Sequence, residues 1–144
     1  MKTLEFTIII KASLQKVWHC MWEPESYKLW ISPFGEGSHY KTTHFVKGAK
    51  IHFLTPQGEG VHCKLAEVDE PHLVVLEYLS AIKDFKETPF AADHNWTGAR
   101  ESYALHNTEL GTRVTAKVDT DPIHIDFMNS TFPKALYLLK QLAE

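Results

Sequence analysis

The sequence predicts an α+β fold in which a curved antiparallel sheet packs on a long C-terminal helix. Three observations predict it: one strand-like segment precedes two short helical segments, alternating segments with turn residues between them fill the middle of the chain, and the last segment has helical periodicity. The chain has 144 residues, a usual size for one domain, and shows neither a linker nor an internal repeat. Residues 1–144 are therefore expected to form a single domain.

The first strand and two short helices are predicted within residues 3–31. Residues 3–11 alternate between apolar and polar side chains, as in a half-buried strand. Ser13 is a candidate N-cap, and apolar residues follow it at helical spacing as far as Trp22. Pro24 ends that helix and suits the first turn of another, which is expected to run from Glu25 to Ile31.

Turn residues divide the middle of the chain into six further segments, which gives about seven strands in all. These segments lie near 38–46, 49–54, 60–68, 72–81, 96–106 and 112–119. Because most connections are short, neighbouring strands are expected to pair antiparallel. A longer polar stretch at 83–95 is expected to be a loop.

The final segment, Asp126 to Glu144, is predicted to be the long helix. Its apolar stripe consists of Ala135, Leu136, Leu139 and Leu142. Pro133 lies inside this segment, so the helix either starts near Thr131 or kinks at the proline.

The order of elements and several short segments together carry a family resemblance. The segments are Phe6 to Ala12 leading into Val17-Trp18, Pro24-Glu25 with Lys28-Leu29-Trp30, Glu59-Gly60, Glu67 to Pro71, Gly111-Thr112 and Leu139-Lys140-Gln141-Leu142. On these features the chain resembles the helix-grip fold of the START and birch-pollen-allergen superfamily. More narrowly, it resembles the branch named after the activator of the ninety-kilodalton heat-shock ATPase.

This resemblance implies a sheet that curls around the final helix and leaves a cavity between them. It also implies a range of functions, because the family binds lipids, sterols, polyketides and other apolar molecules. A minority of its members are cyclases or hydrolases, and some act as co-chaperones. The first expectation is therefore binding of a hydrophobic small molecule, with a protein-interaction or co-chaperone-like module as the alternative and an enzyme as the third choice.

Composition and charge argue against several other classes of protein. The net charge is -3 and basic residues are not clustered, so a nucleic-acid partner is not expected. The longest apolar runs are too short to span a membrane, and Glu5 falls where a signal peptide would be apolar, so a cytoplasmic location is expected. Cys20 and Cys63 have no CxxC spacing and are expected to be buried thiols. No cofactor is implied.

Side-chain alternation predicts which strand residues face the cavity. If Lys47-Gly48 is a two-residue hairpin turn, Val46 pairs with Ala49, His44 with Ile51 and Thr42 with Phe53. Tyr40 and His44 then share the apolar face. Applied to the later strands, the same rule places Glu101 in an apolar interior, where a carboxylate must pair, accept hydrogen bonds or take up a proton.

The predicted ligand-binding set combines these inward residues with aromatic and helix residues that could close the cavity. It consists of Tyr40, His44, Phe53, Cys63, Leu76, Tyr78, Trp96, Glu101, Tyr103, Phe127, Phe132 and Leu136. A tyrosine or histidine in this set could equally satisfy a neighbour in a filled core. Glu101 is the residue least easily explained in that way, since cores rarely retain a carboxylate.

The sequence gives little support for a metal site or for catalysis. The nine histidines show no ligand spacing such as HxxxH, so no metal site is expected. No GxSxG motif marks a nucleophile. One enzyme hypothesis remains, in which His44 and Glu101 act as a general acid–base pair of a cyclase or hydrolase. A protein partner or homodimer is a further possibility, through apolar residues on the outer face of the sheet.

Overall fold

The computed structural model describes residues 1–144 and confirms the predicted α+β class, with eight strands instead of about seven. The elements are β1 (Lys2–Ile10), α1 (Leu14–Trp22), α2 (Pro24–Trp30), β2 (His39–Lys41), β3 (Lys50–Leu54), β4 (Gly60–Asp69), β5 (Leu73–Lys83), β6 (Lys86–Thr88), β7 (Arg100–Thr108), β8 (Gly111–Thr120) and α3 (Ile125–Ala143). None of the helices combines the length and apolar composition needed to cross a bilayer.

All strand pairs are antiparallel and form one sheet in the order β1-β8-β7-β5-β4-β3-β2, with the short β6 paired to β5. The first strand therefore lies beside the last one. The three helices contact one another, and α3 also packs against β1. One core of 24 buried residues joins the helices to one face of the sheet, as expected for a single layer of sheet covered by helices.

Side-chain caps set the starts of the first two helices. The Ser13 hydroxyl accepts a hydrogen bond from the Lys16 backbone N–H at 3.2 Å, which confirms the predicted N-cap. At α2 the cap is Glu23, whose carboxylate accepts bonds from the backbone N–H groups of Glu25 and Ser26 at 3.0 and 3.1 Å. Pro24 occupies the first turn, where its missing N–H costs nothing.

Helix α3 begins at Ile125 and runs through Pro133, so a start near Thr131 is wrong. The helix tolerates the proline because the single bond it loses lies within a 19-residue ladder whose buried face is fixed by packing. Ala135, Leu136 and Leu139 are at most 2% exposed, as predicted. Leu142 is 36% exposed, so it lies at the margin of the stripe.

Two β-bulges keep polar residues of β4 and β5 out of the core. The partner of Leu65 is Leu76, yet that of Glu67 is Val75, which leaves Ala66 as an extra residue. Without this bulge Glu67 would share the inward face of Leu65; with it, Glu67 points outward and binds Lys47 at 3.0 Å. A second bulge leaves Leu79 unpaired, because Cys63 faces Tyr78 while His62 faces Ser80.

The predicted strand 38–46 is much shorter than expected. Strand β2 ends at Lys41, and Tyr40, not Thr42, faces Phe53. The Lys47-Gly48 turn exists, with the Ala49 N–H bonded to the Val46 carbonyl at 3.1 Å.

The ladder nevertheless stops before that turn, for two reasons. The Thr42 hydroxyl donates to the Lys50 carbonyl at 2.8 Å and so takes an acceptor that a backbone N–H would have used. On the other side, Gly48 and Ala49 exchange backbone bonds with Leu65 of β4, and both are shorter than 3 Å.

Two further differences affect the later strands. Strand β7 begins at Arg100 and not near residue 96, because residues 96–99 form a turn that bonds to Tyr78. The polar stretch 83–95 contains the short strand β6, which the prediction missed. Cys20 and Cys63 are buried and unlinked, as expected.

Truncation of α3 at the sheet tests this packing. We expect Leu139→Ala to lower the free energy of unfolding by about 2–5 kcal/mol, because Leu139 is fully buried and its removal leaves a cavity. The matched change Leu142→Ala should cost about 1 kcal/mol or less. Urea unfolding of the two variants measures the difference, and equal losses would contradict the packing described here.

Candidate ligand-binding site

A cavity of about 230 Å³ lies between the inner face of the sheet and the helices. Its walls are mainly apolar and come from α2, the turn that follows it, strands β3, β4, β5 and β7, and the first half of α3. The lining residues are Tyr27, Ile31, Phe34, Ser38, His39, Phe53, Leu54, Thr55, Glu59, Gly60, Val61, Leu76, Tyr78, Glu101, Tyr103, Met128 and Phe132. Among them Glu59 is exposed, so the cavity reaches solvent on that side.

The strand registers bring the polar residues of this cavity together. Glu101 of β7 lies between Leu76 of β5 and Val118 of β8, so its carboxyl group leaves the sheet on the apolar side. Tyr103 follows two residues later on the same face. Tyr78 lies opposite Cys63 immediately before the Leu79 bulge, and this register keeps its ring on the inner face.

Two tyrosine hydroxyls hold the Glu101 carboxyl group. Tyr78 donates to Oε1 at 3.1 Å, and Tyr103 donates to Oε2 at 2.5 Å. None of the ion pairs involves this carboxyl, and its surroundings contain no Lys, Arg or His that perturbs it. Glu101 is therefore an acid in an apolar cavity with hydrogen-bond donors but without a counter-charge.

Burial dominates the proton equilibria of this group of residues. Desolvation raises the pKa of Glu101, against the two tyrosine hydrogen bonds, which lower it. Desolvation also raises the pKa values of Tyr78 and Tyr103 well above their usual range, and the nearby Glu101 charge adds to that rise. Both tyrosines consequently remain protonated donors, and Glu101 retains its proton to a higher pH than an exposed glutamate would.

Gly60 lies at the wall of the cavity, where two strands approach closely. A Cβ atom on this residue would lie 1.8 Å from the backbone oxygen of Phe53. Any larger residue would push β3 away from β4, so the glycine is required by space and not by backbone conformation.

Six of the twelve predicted binding residues line this cavity. They are Phe53, Leu76, Tyr78, Glu101, Tyr103 and Phe132. Cys63 and Leu136 face inward as predicted but are packed in the solid part of the core, at 0% and 2% exposure. Burial, together with the Glu101 charge, raises the pKa of the Cys63 thiol, which argues against a reactive thiolate.

Trp96 and Phe127 lie outside the cavity instead of closing it. The Trp96 ring stacks on the ring of Tyr78, with centroids 6.1 Å apart, but does not itself line the cavity. Phe127 is 46% exposed and contacts Phe34 edge-on at a centroid distance of 6.1 Å.

The assumed hairpin placed His44 wrongly, whereas Tyr40 lies on the predicted inner face, opposite Phe53 and packed against the core, but does not line the cavity. Tyr40 packs edge-on against Trp22 and its hydroxyl donates to the Trp22 carbonyl, so it faces a separate surface depression beside α1. His44 is exposed in the segment that leaves the sheet after β2, where strand alternation no longer applies. The structure therefore does not bring His44 to Glu101.

Several lining residues escaped prediction because they do not come from long strands. Tyr27 and Ile31 belong to α2 and its end, Phe34 to the following turn, and Met128 to the first turns of α3. The apolar periodicity of α2 marks Tyr27 and Ile31 as buried, which is the signal that could have included them. For Phe34 and His39 no periodic pattern existed.

The fold belongs to the helix-grip class, and solved structures support that assignment. No protein-family model matches the chain, and no curated protein matches it. Protein MLL2253 from Mesorhizobium loti superposes with a TM-score of 0.72 at 14% identity, over 98% of this chain and 96% of that one.

Two further solved structures extend the comparison. The Aha1 dimer from Colwellia psychrerythraea gives a TM-score of 0.64 at 21% identity, over 99% of this chain and 94% of that one. DynU16, from the dynemicin biosynthetic locus, gives 0.70 at 10% identity, over 98% of this chain and 46% of that one. Identities this low establish a shared fold and nothing more specific.

The raised pKa of Glu101 makes stability depend on pH in a defined direction. Because the folded protein holds this proton more tightly than the unfolded chain does, the stabilisation is complete below the unfolded pKa of about 4.3. It is lost as the pH rises through the higher folded pKa. Glu101→Gln cannot titrate, so wild type should lose stability relative to this variant as the pH rises above ~4.3, with no further change above the folded pKa.

Urea unfolding of both proteins across a pH series measures this difference. The control is Glu109→Gln in the exposed turn between β7 and β8, which should follow wild type at every pH. A pH-independent difference between wild type and Glu101→Gln would contradict the raised pKa.

Proposed function

We propose that the protein binds a small apolar molecule that carries one hydrogen-bond donor. The observation that carries this proposal is the carboxyl group of Glu101, which lies in a mainly apolar cavity without a counter-charge. An apolar hollow with a few oriented polar groups is the usual form of a small-molecule site. A carboxyl in a purely structural core would be costly to keep there.

The polar end of the cavity favours a donor over an acceptor. The hydroxyl protons of Tyr78 and Tyr103 are already directed at Glu101. Once Glu101 has lost its proton, what remains for a ligand is lone pairs, on the carboxylate oxygens and on the tyrosine oxygens. A hydroxyl or amine placed there satisfies them, whereas a carbonyl or ether oxygen would face other acceptors.

The cavity size limits the ligand to about one ring. At about 230 Å³ it is smaller than the roughly 300–1,000 Å³ typical of drug-sized ligands and larger than the ~150 Å³ cavity that accepts benzene. A sterol or a long-chain lipid does not fit this volume. Of the ligand types implied by the family resemblance, the proposal keeps a small aromatic or alicyclic molecule.

We propose binding and not acid–base catalysis, because the pair His44 and Glu101 is not assembled. His44 is exposed, while Glu101 lies in the cavity. His39 lines the same cavity, but its Nδ1 atom is engaged with the Gly37 carbonyl at 3.0 Å. The hydrogen bonds of the Glu101 carboxyl come from Tyr78 and Tyr103, and neither histidine bonds to it.

A pair of nearly isosteric compounds tests the donor requirement. At a pH above the folded pKa of Glu101, we expect p-cresol to bind at least about tenfold more tightly than p-xylene, since a hydrogen bond to a charged acceptor contributes about 1.5–3 kcal/mol. Titrations followed by two-dimensional NMR measure both affinities, with the largest shifts expected near Tyr78, Glu101 and Tyr103. Glu101→Gln should weaken p-cresol binding and leave p-xylene binding nearly unchanged.

A blocking variant locates the binding event. Val61→Trp, on the inner face, should abolish binding of both compounds by filling the cavity. Val75→Trp, on the outer face of the neighbouring strand, is the matched control and should bind both compounds as wild type does. Equal affinity for the two compounds, or binding that survives in Val61→Trp, would count against the proposal.

Self-association is a second candidate, and it is favoured by the Colwellia neighbour, which was solved as a dimer. Strand β1 forms one edge of the sheet over nine residues, and edge strands readily pair with another chain. Ile9 on this strand is 37% exposed. We propose this edge as the contact between two copies.

Sedimentation velocity over a concentration series tests the dimer. We expect a species of twice the monomer mass in wild type, weakened at least about tenfold in Ile9→Lys. Leu110→Lys, in an exposed turn, is the control and should behave as wild type. A monomer at every concentration would exclude self-association.

A further inference from the structure

Two histidines and one glutamate meet on the sheet face that points away from the core. They are His52 of β3, His62 of β4 and Glu87 of β6, and their donor atoms all lie within 4.8 Å of one another. His62 precedes Cys63, which is fully buried on the inner face, so His62 must project from the opposite face. The cluster therefore lies across the sheet from the cavity and is independent of the ligand proposed there.

The geometry points to a site for a divalent transition-metal ion such as Zn²⁺, and we propose that His52, His62 and Glu87 are its protein ligands. The His52 Nε2 atom lies 3.1 Å from Glu87 Oε2, and the His62 Nδ1 atom lies 3.4 Å from Glu87 Oε1. Ligand atoms around a tetrahedral zinc ion, each about 2.1 Å from the metal, are about 3.4 Å apart. The two imidazole nitrogens need to approach by at most ~1.4 Å to complete that triangle.

The ring orientations agree with a shared ion. The His52 and His62 rings are nearly perpendicular, at 86°, with centroids 5.2 Å apart. They are therefore not stacked on each other, and each ring can direct a nitrogen to a common point. The Ser80 hydroxyl lies 3.3 Å from His62 Nδ1 and adds a further polar group beside the same atom.

Backbone features explain why these residues converge. His52 and His62 are direct cross-strand partners. The Leu79 bulge then places Ser80 opposite His62, where an unbroken register would have placed the apolar Leu79. Glu87 is positioned by the β5–β6 hairpin, in which Lys83 pairs with Lys86.

The turn of that hairpin is unusual in its residues. Asp84 and Phe85 both have positive φ, at 51° and 64°, as a type I′ turn requires. A phenylalanine is strained in this conformation. This strained turn reverses the chain between β5 and β6 and so brings the Glu87 carboxylate close to His52 and His62.

The chemistry of the ligand set favours zinc-like ions over calcium or magnesium. Two imidazoles and one carboxylate are typical of zinc and other first-row transition ions, whereas the alkaline-earth ions prefer oxygen ligands alone. The side chain of His62 is 12% exposed and that of Glu87 is 50% exposed. The site is therefore largely buried at His62 and open to solvent at Glu87. Three protein ligands would leave a position for water or an exogenous molecule.

Titration of tag-free, chelator-treated protein with Zn²⁺ in a calorimeter tests the site. We expect one ion per chain, with affinity reduced at least tenfold in His52→Ala and in Glu87→Gln. Co²⁺ gives a second readout, because its visible spectrum changes when imidazole and carboxylate replace water. That spectral change should be lost in both variants, and circular dichroism should confirm that they remain folded.

The controls separate this site from adventitious binding by scattered surface histidines. His106→Ala and Glu109→Gln remove an exposed histidine and an exposed glutamate elsewhere, and both should bind Zn²⁺ within twofold of wild type. The proposal is overturned if wild type binds no stoichiometric ion. It is also overturned if His52→Ala and Glu87→Gln bind as tightly as wild type, since the cluster would then be an ion-pair network only.

Discussion

The apolar stripe of α3 packs against the inner face of the sheet, and the shape of the molecule depends on this contact. In the second half of the helix, Ala135, Leu136 and Leu139 are buried in the core and do not line the cavity. The end of the helix is tied to the end of β1, where the Lys11 N–H donates to the Glu144 carboxylate at 2.8 Å. The first half of α3 fits less closely, and there Met128 and Phe132 border the cavity instead of filling it. The cavity is thus the part of the interior that α3 does not reach.

Most of the fold could be predicted because apolar periodicity and turn residues act locally. Strand β1, the two short helices, α3 and the inner faces of β4 and β7 all followed from spacing of two or of 3.6 residues. The errors arose where non-local bonds overrule local patterns. The Thr42 hydroxyl and the Leu65 backbone end the β2 ladder early and leave His44 in solvent. Strand β6 was missed because its tight turn is Asp84-Phe85, without the glycine that usually marks such a turn.

In the candidate site, too, the features set by local patterns could be predicted, and those set by strand pairing could not. Glu101, Tyr78 and Tyr103 were predicted from alternation alone, and the structure adds that the two hydroxyls converge on the one carboxyl. That convergence depends on registers between four strands, which no single segment encodes. Similarly, metal-ligand spacing is recognisable along a sequence only for short helical and loop motifs. His52 and His62 form no such motif, because their ten-residue separation becomes a direct contact only through the β3–β4 pairing.

The Leu79 bulge has a consequence for how this chain tolerates changes in length. Before the bulge Tyr78 pairs with Cys63 on the inner face of the sheet. After the bulge Ser80 pairs with His62 on the outer face, and Leu79 between them has no partner. Deleting Leu79 would restore continuous pairing and leave Tyr78 opposite Cys63 and Ser80 opposite His62, so neither flanking segment would change face. The fully buried Ile82 would likewise stay opposite Gly60. At this position the sheet can therefore lose one residue without moving any other side chain to the opposite face, whereas a deletion at a regularly paired position of a strand would reverse the face of every residue beyond it.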